Sequence, residues 1–211
     1  MKAAPRGGAA SSTILFIFRT DGRLLAVSEN KMNIVILAAG MGKRMHSRLP
    51  KVLQPIAGRP MIDHVLDASE GLSASPRVVV VGHAAENVME HLADRSDVTF
   101  ALQSPQLGTG HALRQALGQL DRNEPKTLVC LGDVPLLSRR TLEAIAREAE
   151  TSDLVLLTVE LDNPTGYGRI LRNPAGFVRA IVEEKDASPE ERRVREVNTG
   201  IMCLPTSRLD G

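Results

Sequence analysis

Between Asn33 and Leu53 the chain sets two glycines and three cations where they can act together on one anion. Asn33-Ile-Val-Ile-Leu-Ala-Ala-Gly-Met-Gly-Lys-Arg-Met45 leads into Leu49-Pro-Lys-Val-Leu53. Glycine has no Cβ to hold a ligand off the backbone, so Gly40 and Gly42 let main-chain N–H groups face an anion at close range. Lys43, Arg44 and Lys51 add full charge at phosphate-neutralising spacing, and a triphosphate is the natural guest. Two alternative glycine motifs fail on spacing. Met45 stands where G-x-G-x-x-G requires its third glycine, which argues against a nicotinamide enzyme, and no Gly-Lys-Ser or Gly-Lys-Thr supplies a P-loop.

The elements that must position this turn are legible as an alternation. Ile34 to Leu37 is a continuous apolar run, the pattern of a parallel strand buried on both faces. Pro60 opens a helix through Ala68, Arg77 to Val81 reads as a second buried strand, and Ala84 to Ala93 as a helix with Val88, Met89 and Leu92 on one face. Val98 to Leu102 is a third strand, followed by a helix through Leu120; Thr127 to Leu131 is a fourth, and Ser138 caps a helix to about Glu150. Strand–helix alternation implies α/β architecture, with ligands at the carboxyl ends of the strands. The loops after Leu37, Leu102 and Leu131 therefore fall on one edge. Beyond Asp153 the pattern shifts to a strand over Leu154 to Glu160, an antiparallel pair over Arg169 to Arg172 and Phe177 to Glu184, and a strand after Glu196.

Composition narrows the classes of function. The 211 residues suffice for one substantial core, and 26 Lys plus Arg against 25 Asp plus Glu leave a formal charge of +1, so no global field points to nucleic acid or an anionic membrane. Aromatics make up 2%, too few for base-stacking platforms. Cys130 and Cys203 sit in apolar runs and read as reduced core thiols, and His46, His64, His83, His91 and His111 form no ligand-spaced cluster. Residues 1–31 differ in texture: Ile14-Leu-Phe-Ile-Phe18 is too short for a signal sequence or a membrane span, and the expectation is a start-site extension or a short appendage ahead of a domain over 32–211.

Seven segments together carry a resemblance. Leu37-Ala-Ala-Gly-Met-Gly-Lys-Arg-Met45, Pro50-Lys-Val-Leu53, Gln103 with Leu107-Gly-Thr-Gly110, Gly132-Asp-Val-Pro135, Pro164-Thr-Gly-Tyr-Gly-Arg-Ile170, Ile181-Val-Glu-Glu-Lys-Asp-Ala187 and Asn198-Thr-Gly-Ile201 match in identity, order and spacing. They resemble the N-terminal uridylyltransferase (pyrophosphorylase) domain of the bacterial bifunctional N-acetylglucosamine-1-phosphate uridylyltransferase/glucosamine-1-phosphate acetyltransferase family. The opening motif is shared by many nucleotidyltransferases; the later segments narrow the match to sugar 1-phosphates. The resemblance implies a Rossmann-like nucleotide-diphospho-sugar transferase fold, a mixed, mostly parallel sheet flanked by helices. It implies transfer of a uridylyl group from UTP to N-acetylglucosamine 1-phosphate, giving UDP-N-acetylglucosamine and pyrophosphate in the cytoplasm, for cell-wall and lipopolysaccharide precursors, with Mg²⁺ as cofactor.

The residue roles follow from the same resemblance. Arg44 and Lys51 would stabilise the transferring phosphate and Asp133 would hold the metal. Leu37, Ala38, Ala39, Gly40, Gly42, Gln103, Gly108, Thr109, Leu131 and Gly132 would bind the nucleotide, and Gly168, Glu183 and Asn198 the sugar. Lys43 replaces a common Thr and Leu131 a common Tyr, neither change removing a phosphate or metal ligand. The family's second metal-binding residue, an Asn, and its acetyltransferase and trimer-forming domain lie in sequence beyond the position of Gly211, so the domain is expected to be incomplete at its C-terminal end. The competing expectations are a cytidylyl or other sugar-phosphate nucleotidyltransferase, and a remnant that only binds a uridine nucleotide.

Overall fold

A computed structural model describes residues 14–17, 31–40, 42, 47, 49–73 and 75–209. Arg44, Lys43 and Met45 lie outside the described residues, as does most of the 1–31 segment. The chain divides into two units. The smaller holds strand β1 (Ile14–Ile17) and Leu157–Thr199; the larger holds the described residues from Lys31 to Leu156 and those from Gly200 onward.

The larger unit contains β2 (Asn33–Leu37), a short hairpin of β3 (Pro55–Ile56) and β4 (Arg59–Pro60), α1 (Met61–Ala68), β5 (Arg77–Val81), α2 (Ala85–His91), β6 (Val98–Leu102), α3 (Thr109–Ala116), β7 (Lys126–Leu131) and α4 (Arg139–Ala149). The chain then runs through β8 (Val155–Glu160) into the smaller unit and returns along β11 (Glu196–Pro205). Strand order here is β11-β7-β2-β5-β6; β2 runs parallel to β5 and β7, β5 parallel to β6, and β11 antiparallel to β7. The register sets Leu37 beside Val80 and Leu131, and Val81 beside Leu102. Four carboxyl ends therefore finish level, and the antiparallel β11 makes the sheet mixed and mostly parallel, as the resemblance implies.

Burial explains why these segments are strands and helices. β5 is buried at all five positions and β2 at its first four, so β-branched residues pack on both faces. Ala112 and Ala116 of α3 join Val35, Ala39, Val78, Val80, Ala101 and Leu120 in one cluster, small side chains allowing the helix close approach to the sheet. Ser138 caps α4, its Oγ accepting from the Thr141 N–H at 3.2 Å. Three local details differ from the sequence reading. Met89 is 41% exposed while Val88 and Leu92 are buried, because only the i, i+4 pair shares a stripe. The helix after Gly108 stops at Ala116 and continues as a 3₁₀ turn over Leu117–Gln119, where Gly118 weakens α-helix. The β3–β4 hairpin, turning through Ala57 and Gly58 at φ +50° and +80°, was not expected: Pro60, read as opening the helix, ends β4, and α1 begins at Met61.

In the smaller unit β1 lies beside β8 and β8 beside β11, while β9 (Arg169–Arg172) pairs with β11 and β10 (Val178–Val182) with β9, the last two ladders antiparallel. Glu196 on β11 ties three strands: it accepts from Arg172 Nε and Nη2 on β9 at 2.8 Å each and from Thr158 Oγ1 on β8 at 2.8 Å. Asn173 closes the β9–β10 turn, accepting from Gly176 N–H and donating to the Phe177 carbonyl, both at 2.9 Å.

Candidate functional site

The level strand ends of the larger unit open into a cleft of about 280 Å³. Leu37, Ala38, Ala39 and Gly40 follow β2 along one wall, Gln103, Gly108 and Thr109 form another between β6 and α3, and Leu131 and Asp133 follow β7. Lys51 enters from the 3₁₀ turn Lys51–Leu53. Backbone bonds lock these pieces together across the sheet: Ala38 N–H to the Val80 carbonyl at 2.8 Å, Gly132 N–H to the Leu37 carbonyl at 2.9 Å, and Gln103 N–H to the Val81 carbonyl at 2.7 Å. The loops that the sequence separates thus share one wall system.

Close approach at one position and backbone conformation at another dictate the glycines. Gly42 has φ +55°, and a Cβ there would sit 2.9 Å from Lys51 Cβ, so glycine at 42 gives Lys51 its room. Gly108, at φ +97°, stands at the N-cap of α3, and its carbonyl accepts from Gln103 Nε2 at 2.9 Å. Gln103 is only 3% exposed, and its amide nitrogen also lies 3.1 Å from His111 Nδ1. The carboxamide is therefore held from two sides.

The charged pair of the cleft is Lys51 and Asp133. Lys51 Nζ donates to Asp133 Oδ2, the side chains being 40% and 28% exposed. Two opposite charges half open to solvent gain little from each other and are free to exchange partners. Among the described residues no group of three or more His, Cys, Asp or Glu could hold a metal ion, and Asp133 is the one carboxylate among the described residues that line the cleft. That donor set suits Mg²⁺, which keeps several waters and needs one or two carboxylates beside phosphates.

Every described residue that the sequence named for the nucleotide, except Gly42 and Gly132, lines this cleft. Those two are not among the lining residues; a Cβ on Gly132 would meet Val52 Cγ1 at 3.2 Å. Sequence reasoning missed Gln106, Val52 and Ala112, which also line it, and His111, which holds Gln103. Gln106 sits in the same loop as Gln103 with the same side chain, and that repetition was the available signal.

In the smaller unit, Gly168, Glu183 and Asn198 come together from three segments. Gly168 O accepts from the Asn198 N–H at 2.8 Å, and a Cβ on Gly168 would lie 3.2 Å from Glu183 Oε1. Next to Glu183, the Glu184 carboxyl is held below its ordinary range, chiefly by the Arg169 guanidinium and then by the Gly166 N–H.

A parallel sheet whose strand ends deliver a glycine turn, a held carboxamide and a lysine–aspartate pair into one cleft is the arrangement of a nucleotide-transferring domain, and the chain belongs to the MobA-like NTP transferase domain family, matched over residues 34–199. Within that family its sequence is 60% identical over 178 residues to the Bifunctional protein GlmU of Cupriavidus pinatubonensis, and 61% identical over 178 residues to those of Cupriavidus necator and Azoarcus sp.. Each alignment covers 84% of this chain and 39% of the relative, so the chain spans about two fifths of the length of these curated relatives. Solved structures share the fold. A protein from Bacillus anthracis, described as a glucose-1-phosphate thymidylyltransferase in complex with sucrose, superposes with TM-score 0.66 at 19% identity, covering 85% of this chain and 73% of that one. HddC from Yersinia pseudotuberculosis gives 0.62 at 23% identity, covering 85% and 79%.

Proposed function

We propose that the chain transfers a uridylyl group from UTP to N-acetylglucosamine 1-phosphate, forming UDP-N-acetylglucosamine and pyrophosphate. The observation that carries this reading is the cleft itself, where three post-strand loops and Lys51 meet beside a lone carboxylate. The identity of about 60% to GlmU proteins supports the choice of substrates.

A phosphate oxygen of the sugar phosphate attacks the α-phosphorus of UTP; that P–O bond forms as the bond from the α-phosphorus to the bridging oxygen breaks, and pyrophosphate leaves with the electron pair. No protein nucleophile enters. The residues act by positioning and by electrostatics, which is where catalysis of phosphoryl-type transfer mostly lies. Backbone around Leu37 to Gly40, with Gln103, Gly108 and Thr109, holds the base and ribose, and Gly42, Leu131 and Gly132 complete the nucleotide site. Gln103 presents a carboxamide already fixed by Gly108, so reading a pyrimidine edge costs little ordering. Lys51 leaves Asp133 for a phosphate oxygen, and Arg44 supplies a second cation. Asp133 would hold Mg²⁺, which would supply positive charge to the phosphates. Gly168, Glu183 and Asn198 contact the sugar. The setting is cytoplasmic precursor synthesis for the cell wall and lipopolysaccharide; among the described residues no helix is long and apolar enough to cross a membrane.

Pyrophosphate release with UTP and CTP against a panel of sugar phosphates tests this. UTP with N-acetylglucosamine 1-phosphate should be the preferred pair. Preference for CTP would overturn the base reading at Gln103, and nucleotide binding without turnover would reduce the chain to a uridine nucleotide binder.

A further inference from the structure

The smaller unit buries one guanidinium that no step above uses. Arg169 is 1% exposed at the start of β9. A charge taken out of water persists only where its donors are matched, and Arg169 spreads its donors over three segments. Nη1 donates to the Tyr167 carbonyl, Nη2 to Glu184 Oε2 at 2.6 Å, and Nε and Nη2 reach the Arg192 carbonyl at 3.4 Å. Glu184 Oε2 also accepts from the Gly166 N–H at 3.2 Å, which closes the loop over Pro164–Gly168 onto the end of the β10 segment.

The consequence falls on Gly168. The Tyr167 carbonyl and the Gly168 N–H belong to one planar trans peptide and point to opposite sides of it. Fixing the oxygen fixes the N–H, and a charge-assisted bond on the oxygen polarises that N–H into a stronger donor. The following peptide is pinned as well, through the 2.8 Å bond from Asn198 N–H to Gly168 O. Gly168 is buried, yet its N–H has no hydrogen-bond partner among the described residues. Buried amide donors are nearly always paired. A rigid, polarised, unpaired N–H with Glu183 Oε1 close by offers one donor and one acceptor side by side, which is the complement of a hydroxyl group.

We infer that Arg169 is a positioning residue for a sugar hydroxyl, aiming the Gly168 N–H beside the Glu183 carboxylate so that the hydroxyl is bound as acceptor and donor together. This rests on the proposed sugar role of Gly168 and Glu183. It also explains why arginine and not lysine stands at 169: a single ammonium cannot serve the Tyr167 carbonyl, Glu184 and the Arg192 carbonyl in one plane.

The test is calorimetric titration of the full chain with UDP and with UDP-N-acetylglucosamine. The ratio of the two dissociation constants isolates the sugar's contribution, and the UDP value reports whether the variant is folded. In Arg169→Lys the ratio should fall about tenfold while the UDP value stays within about twofold. Glu184→Gln, which keeps the guanidinium and loses its charged partner, is the milder second variant and should lower the ratio in the same direction. A wild-type ratio near one would overturn the sugar reading and this inference with it. A wild-type ratio well above one that neither variant lowers, or a parallel loss for both ligands, would overturn the positioning role alone.

Discussion

Gly40, which lines the nucleotide cleft, and Gly82, which packs behind Ala39, should respond to the same substitution alike in nucleotide binding but differently in stability. At Gly40, a built Cβ meets nothing within 4 Å, and the residue is not in the positive-φ region. Gly40→Ala should therefore leave the unliganded protein within about 0.5 kcal/mol of wild type. At Gly82, a Cβ would fall 2.8 Å from Ala39 Cβ and 3.1 Å from Ala39 O. Ordinary carbon contacts lie at roughly 3.5–4.0 Å, so the methyl pair alone is short by about 0.7–1.2 Å. The Gln106 amide, at 2.9 Å, can swing aside, but the Ala39 backbone is tied to its neighbours through the His83 N–H at 3.4 Å and cannot. Overpacking of this kind costs about 1–3 kcal/mol. Gly82→Ala should lower stability by that amount and displace the Ala39–Gly40 turn. Both variants should weaken UTP binding by about tenfold to a hundredfold, or about 1.4–2.7 kcal/mol, the first because a methyl fills space the phosphates need, the second because the turn has moved. Thermal unfolding without ligand and calorimetric titration with UTP read the two effects separately. If Gly40→Ala binds UTP as wild type does, the phosphates do not approach this turn and the placement of the nucleotide is wrong.

Asp133→Asn should keep the fold and the size of the cleft but reduce turnover about a hundredfold or more, and chelating divalent ions from wild type should have an effect that the variant no longer shows; turnover assays over a magnesium titration check both. Burial pushes the thiols of Cys130 and Cys203 up to about 12, against an ordinary 9.0 in an unfolded chain. Between those values the unfolded chain loses protons that the folded one keeps, so stability should fall as pH rises from 9 toward 12, and a disulfide reagent should label both thiols only on unfolding. Glu196→Ala strands Arg172 among β-strands and should cost about 2 kcal/mol, less than the 3–5 typical of a fully buried pair because Arg172 keeps some solvent, as read by urea denaturation.

How much of this was legible in the sequence depends on whether a feature lives within one element or between two. The apolar runs Ile34–Leu37 and Arg77–Val81 mark buried strands by themselves, because a strand buried on both faces has no polar phase. Connectivity then predicts that the loops after Leu37, Leu102 and Leu131 share an edge, and the level register of their strands delivers that. The pairing of Lys51 with Asp133 carries no such signal. Each is an ordinary charge in its own loop, and only the parallel pairing of β2 with β7 makes them neighbours. Arg169 was visible only as one letter of the Thr-Gly-Tyr-Gly-Arg-Ile segment, and its meaning is its burial, which a charged residue in an antiparallel strand gives no reason to expect.

The charge content of the cleft adds a constraint that geometry alone does not. Of the described residues lining it, only Lys51 and Asp133 are charged, and they neutralise each other. The walls from Leu37 to Gly40 and from Gln103 to Thr109 carry no ionisable side chain, so they can fix the shape and hydrogen bonding of a base and ribose but cannot hold a polyanion by field. A lone carboxylate is in turn a weak cation site. On the proposed reading, a metal-bound nucleotide offers the lysine an anionic oxygen and the aspartate a cation in the same event, and Arg44, outside the described residues, adds the second cation. The Lys51–Asp133 pair then holds both groups at the cleft until that exchange.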